Sequence, residues 1–205
     1  MEKGGEFWDW FKINNYEYKS LSNLDKKKSE ELLNNFLYQL HRYSPGLYFQ
    51  IGDSITCKEL IITADGDEKY FADVERLVDC APKLESWKII AFKPPMGIDF
   101  VTEYENVVLD PKNIWFLPLD NENNPKVLGM KVYISNFNKE NEKIYLSGVY
   151  QVLDTILGEK SCTQDIKYVE VARLPTHPEK SGLIGLTELT QYIKWYKEVG
   201  GSVPD

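Results

Sequence analysis

The chain of 205 residues carries 32 acidic against 24 basic side chains, a net charge of -8, with 42% hydrophobic and 27% charged residues. That length suits one generous core or two small halves sharing one, and the composition is that of a globular protein rather than a disordered or fibrous one. Net acidity repels phosphate backbones and anionic lipid surfaces, and no run reaches the roughly 18 consecutive apolar residues that cross a bilayer, so neither nucleic acid nor a membrane is an expected partner.

The amino terminus, MEKGGEFWDWFKINNYEY, has acids and amides where a signal peptide needs a basic segment and a continuous apolar run. It places Phe7, Trp8, Trp10 and Phe11 within a helical arc of about 160°, which predicts an unusually aromatic helix face. A second helix is expected from Asp25 to Tyr43, where Leu32, Leu33, Phe36, Leu37 and Leu40 recur at helical spacing and Ser44-Pro45-Gly46 stops the run. Leu47 to Ile51 and Glu59 to Thr63 read as strands of a long hairpin.

Asp65-Gly66 turns the chain, and Asp67 is placed to cap the next helix. That helix carries a stripe of Tyr70, Phe71, Val74, Leu77, Val78 and Ala81, and Pro82 blocks its continuation. Trp87 to Phe92 returns as a strand. From Asp99 to Asn124 we expect two antiparallel strands, Val107 to Leu109 and Ile114 to Leu119, closed by an Asn-rich turn. A third strand follows at Leu128 to Ile134. Tyr145, Gly148, Val149, Val152, Leu153 and Ile156 form a strong helical stripe ended by Gly158. Ile166 to Ala172 is another strand, and a last helix covers Thr187 to Val199.

This order predicts an α+β fold: a mixed, mostly antiparallel sheet with helices packed on one face. A single domain is expected over residues 1–205, with candidate halves at 45–95 and 100–175 and helical additions at both termini. Each half reads as β-β-α-β, and their final strands end in AFKPP and VARLP, which suggests a pseudo-repeat.

The segment ELIITADG, the stripe of Phe71, Val74, Leu77 and Val78, then Ala81-Pro82, Leu84, Trp87 and AFKPP together resemble a family of uncharacterised bacterial proteins of similar length. The FWDWF start and the YVEVARLP strand are similar to the same group. The resemblance implies a bacterial, soluble α+β protein, and it carries no activity, substrate, cofactor or catalytic residue onto this chain.

Chemical candidates are sparse. Around Asp65 to Glu68, a calcium loop of EF-hand spacing would need Gly at position 70 and Glu at 76, where Tyr70 and Arg76 stand, so turn and cap is the better reading and no metal site is expected. His177 lies in the Pro-bounded loop PTHPEK and, with Arg173, is the candidate for ligand binding; a lone loop histidine without a nucleophile is more often a surface residue. The Ser147-Gly148 pair falls in a helical stripe and is no nucleophile elbow.

Gly182-Leu183-Ile184-Gly185 reads as a connection that tucks its apolar centre into the core. The cysteines Cys57, Cys80 and Cys162 are odd in number and far apart, which fits a reducing cytoplasm. Cys162, close to Lys160, is expected to be exposed and the most reactive of the three.

The remaining signal is acidic. Asp99, Glu103, Glu105, Asp110, Asp120 and Glu122 face a single base, Lys112, and interleave with Tyr104, Trp115 and Phe116. That composition suits a basic protein partner, or a solvated sheet edge charged against aggregation. The sequence therefore points first to a non-catalytic protein-binding or immunity-type module, with Trp8, Trp10, Glu103, Glu105 and Trp115 as candidate contact residues and no cofactor. The alternative is a small-ligand binder or enzyme with a cleft near His177 and the Arg173-Leu174-Pro175 strand end. A third expectation is self-association through the aromatic first helix.

Overall fold

The computed structural model describes residues 3–119 and 128–199. The chain divides into two compact units, Met1–Lys93 and Pro94–Asp205, where the sequence predicts one domain. The fold is α+β, and among the described residues four of the six strand pairings are antiparallel.

In the first unit the aromatic run forms α1 (Lys3–Tyr18), and α2 spans Lys26–Tyr43. Asp25 caps α2 as the sequence predicts, its carboxylate accepting from the Lys28 amide at 2.9 Å. Phe36 is the hub of the α1–α2 seam, meeting Phe7, Phe11 and Tyr18 edge-on at centroid separations of 5.5, 5.7 and 5.3 Å. Tyr18 donates to the Leu32 carbonyl, and burial pushes its phenol up to about 12. Of the predicted α2 stripe, Leu32, Phe36 and Leu40 are buried, whereas Leu33 lies exposed.

Strand β1 (Tyr48–Asp53) pairs antiparallel with β2 (Lys58–Thr63), which pairs in parallel with β3 (Trp87–Ala91). A parallel neighbour needs a crossover, and α3 (Phe71–Asp79) supplies it. The turn into it puts Asp65 and Gly66 at positive φ, and Asp67 accepts from the Lys69 amide to cap a short 3-10 turn, Glu68–Tyr70, that leads into α3. Because side chains alternate along strands, the register sets Ile51, Leu60 and Ile89 in one row and Phe49, Ile62 and Ala91 in the next. All six belong to the core beneath the helices.

The second unit begins with a small hairpin, β4 (Thr102–Tyr104) and β5 (Val107–Leu109). It corrects the expected pairing: β5 bonds to β4, and the next strand, β6 (Trp115–Leu119), bonds instead to β7 (Leu128–Ile134). The Asn-rich turn, with Asp120 and Glu122, lies outside the described residues. From β7 the chain crosses through α4 (Glu142–Leu157) and α5 (Glu159–Asp165) to β8 (Ile166–Arg173), parallel to β7. Gly158, at φ 75°, separates the two helices.

The chain returns through β9 (Ile184–Gly185), which pairs with β6 and gives the order β8-β7-β6-β9, and ends the described fold in α6 (Leu189–Glu198). Phe116, Val132 and Val171 share a register row on the buried face with α4. Both units thus contain an antiparallel strand pair, a helical crossover and a parallel third strand. Cys162, expected to be exposed, is 8% exposed on the inner side of α5. No described helix is long and apolar enough to cross a membrane.

Candidate functional site

A cleft of about 710 Å³ opens in the second unit where β7 and β8 end. Its apolar floor consists of Val107, Leu109, Ile114 and Ile134, all buried. The rest of its lining is mostly polar: Asn106, Asp110, Lys112 and Asn113, with Trp115, come from one stretch of chain, and Ser135 and Asn136 from another, with Tyr145 buried beside them.

Local chemistry fixes both walls. On the first, Asp110-Pro111 starts a 3-10 turn, Pro111–Asn113, because Pro presets φ and the Asp110 carboxylate accepts from the Lys112 amide and from the Asn113 side chain, each at 2.9 Å. Lys112 Nζ stands 2.8 Å from Asp99. That contact holds the Lys112 ammonium above, and the Asp99 carboxyl below, their ordinary values.

On the second wall the Leu174 amide donates to the Ile134 carbonyl at 3.0 Å. The Tyr145 hydroxyl donates to the Asn136 carbonyl, and Arg173 donates to the Phe137 carbonyl at 2.9 Å. The loop after β7 is thereby held from α4 and from β8. Gly148 lets the hairpin come close to α4: a β-carbon there would crowd Leu109. Gly148 belongs to the helical stripe the sequence predicts, and its neighbours are the strand residues Leu109 and Tyr104.

The structure separates the sequence candidates. Trp115 lines the cleft, partly exposed. Glu103 and Glu105 are exposed on the β4–β5 hairpin, Glu105 at φ 51° in its turn. Trp8 is corrected from contact residue to core: it is 2% exposed, and its indole donates to the Leu77 carbonyl at 2.7 Å. Trp10 is partly buried against Phe7, Tyr18 and Phe36.

Arg173 is exposed and serves the loop brace just described. His177 is exposed, and its carbonyl accepts from the Ser181 amide and hydroxyl; it does not line the cleft, which takes Leu174 from that strand end instead. Among the described residues no cluster of His, Cys, Asp and Glu side chains could hold a metal ion.

Sequence patterning marks Tyr145 only as part of a helix stripe and does not mark Ser135 or Asn136 as site residues. The legible signal is that Ser135-Asn136 ends an apolar strand with two polar residues, and that Asp110-Pro111 is a capped turn beside a tryptophan. Comparison with protein-family models, with curated proteins and with solved structures gives no match to this chain, so the cleft is interpreted from its own chemistry.

Proposed function

We propose that this chain is a non-catalytic protein-binding module, of the immunity or adaptor kind, whose contact surface is the cleft and the adjoining β4–β5 hairpin. The observation that carries the reading is the cleft itself: a buried apolar floor, a partly exposed tryptophan and a rim of amides, a hydroxyl, one carboxylate and one ammonium, the make-up of an interface centre with a polar edge. Asp110 in the rim, with Glu103 and Glu105 exposed on the hairpin, favours a basic partner. Self-association through α1 has less support, since Phe7, Trp8 and Phe11 are core residues. The bacterial, cytoplasmic setting and the kinship with the uncharacterised family belong to the same proposal.

Peptide-library selection against the whole protein tests it. Selected peptides should perturb the amide and indole resonances of the cleft and lose at least about tenfold in affinity on Trp115→Ala, the scale of an interface anchor. Peptides that bind equally well to the variant and perturb another surface sink the reading. The same cleft favours a second reading, a small-ligand binder. There His177→Ala should leave ligand affinity unchanged, because His177 is not part of the cleft lining.

A further inference from the structure

The cleft has a chemistry narrower than that of a general protein contact. Trp115 offers an indole partly open to solvent, and Asp110 lines the same cavity with a carboxylate whose acceptor contacts are to two neutral donors, the Lys112 amide and the Asn113 side chain. Its charge is therefore not cancelled by those partners. Among the described residues Lys112 is the one basic side chain of the lining, and it is paired at 2.8 Å with Asp99, a carboxylate outside the lining. Glu103 and Glu105 stand exposed on the hairpin whose second strand forms part of the cleft.

Among the described residues, Asp99 is the one of these four carboxylates in an ion pair; Asp110 also acts on the Lys112 ammonium but less strongly than Asp99 does, and Glu103 and Glu105 stand in no ion pair. An indole face attracts a cation electrostatically, and Arg does so more often than Lys because its planar guanidinium stacks and is weakly hydrated. The polar rim of Asn106, Asn113 and Asn136 supplies acceptor oxygens in excess of what one carboxylate provides to a five-donor fork.

We propose that the cleft receives an arginine side chain from an extended segment of a partner protein, its guanidinium held between Trp115 and Asp110. This rests on the binding-module reading and specifies its occupant. The apolar floor takes the methylene stem, and the hairpin acids draw the basic segment in by long-range attraction.

The test uses the full chain and two capped pentapeptides of the form Gly-X-Gly-X-Gly, with X as arginine or as citrulline, a neutral isostere. Titrations are followed through indole N–H resonances, with the Trp115 signal identified by its loss in Trp115→Phe. The arginine peptide should shift the Trp115 signal and bind at least about tenfold more tightly than the citrulline peptide, the size of a partly desolvated cation–π contact with an adjacent charge.

Asp110→Asn keeps an oxygen to cap the 3-10 turn and so should stay folded, which its dispersed amide spectrum checks, while losing about fivefold or more of the arginine preference. Raising sodium chloride should weaken arginine binding and leave citrulline binding unchanged.

Equal binding of both peptides at Trp115 overturns the arginine assignment and leaves the module reading intact. A shift of Trp115 by maltotriose but not by the arginine peptide overturns the arginine assignment and favours the small-ligand reading of the cleft. If, in addition, no library-selected peptide perturbs the cleft, both readings fall.

Discussion

Gly148 on α4 and Leu109 on β5 pack so closely that a β-carbon at position 148 would lie 2.8 Å from Leu109 Cδ1, inside van der Waals contact. This contact sets how near the hairpin can approach the helix, and Leu109 is part of the cleft floor. Alanine in a helix interior ordinarily gains about 0.5–1 kcal/mol over glycine, but forcing a methyl into a filled site costs about 1–3 kcal/mol. Gly148→Ala should therefore destabilise the protein in urea unfolding, despite better helix propensity. Adding Leu109→Val, which removes the opposing methyl, should recover part of the loss, a non-additive cycle expected only for residues in contact.

Trp8 should behave as core and not as interface. Trp8→Phe leaves the Leu77 carbonyl without its 2.7 Å donor and opens a void, a cost of about 2–4 kcal/mol in chemical denaturation. Light scattering should give the same mass for the variant as for the native protein. A change of mass with unaltered stability would return this tryptophan to the surface role that its sequence position suggests.

Gly46 has a second reason to be glycine beyond ending α2. A β-carbon there would fall 2.1 Å from the Tyr70 ring, so Gly46→Ala must displace that ring. Its melting temperature should drop by several degrees, and the drop should be much smaller in a Tyr70→Ala background, where the obstruction is gone.

Asp73 governs an acid-sensitive joint. Burial alone would raise its pKa, but the Ser44 hydroxyl, donating at 2.7 Å, and the Arg76 guanidinium outweigh that and hold it below the usual carboxylate value. A carboxylate depressed in the folded state contributes stability that is present above its unfolded pKa and lost as pH falls through its folded one. Stability measured from neutral pH downward should fall across that acidic window, and Asp73→Asn should flatten this limb. An unchanged acid limb in the variant would show that other carboxylates set the profile.

Much of the first unit was legible because local signals agreed. Around α2, Asp25, the apolar stripe and Ser44-Pro45-Gly46 all marked the same helix, and Asp65 to Asp67 marked the turn and cap before α3. What failed was depth: a stripe says which residues share a face, but not that Leu33 sits at its exposed margin or that Trp8 points into a core filled by Phe7 and Phe11.

In the second unit, β9 is two residues long and has no alternation to detect, and β4 is the polar triplet Thr102 to Tyr104. Pairing of β5 with β4 rather than β6 depends on the 3-10 turn redirecting the chain at Pro111. The cleft was legible at Asp110, Lys112 and Trp115, and at the Leu174 strand end, but not as one site. Its other wall comes from Ile134 to Asn136, Tyr145 and Leu174, which only the parallel β7–β8 pairing brings to the same place.

The two hydrophobic cores share no residue: Phe11, Phe36, Leu60 and Leu77 complete one before Lys93, and Phe116, Val132, Val149 and Val171 complete the other after Pro94. A chain with two self-sufficient cores need not have a single free energy of unfolding. Calorimetry should resolve two transitions, with Trp8→Phe lowering one and Gly148→Ala the other. Damage to the aromatic seam of α1 and α2 would then leave the cleft standing in an otherwise half-melted molecule.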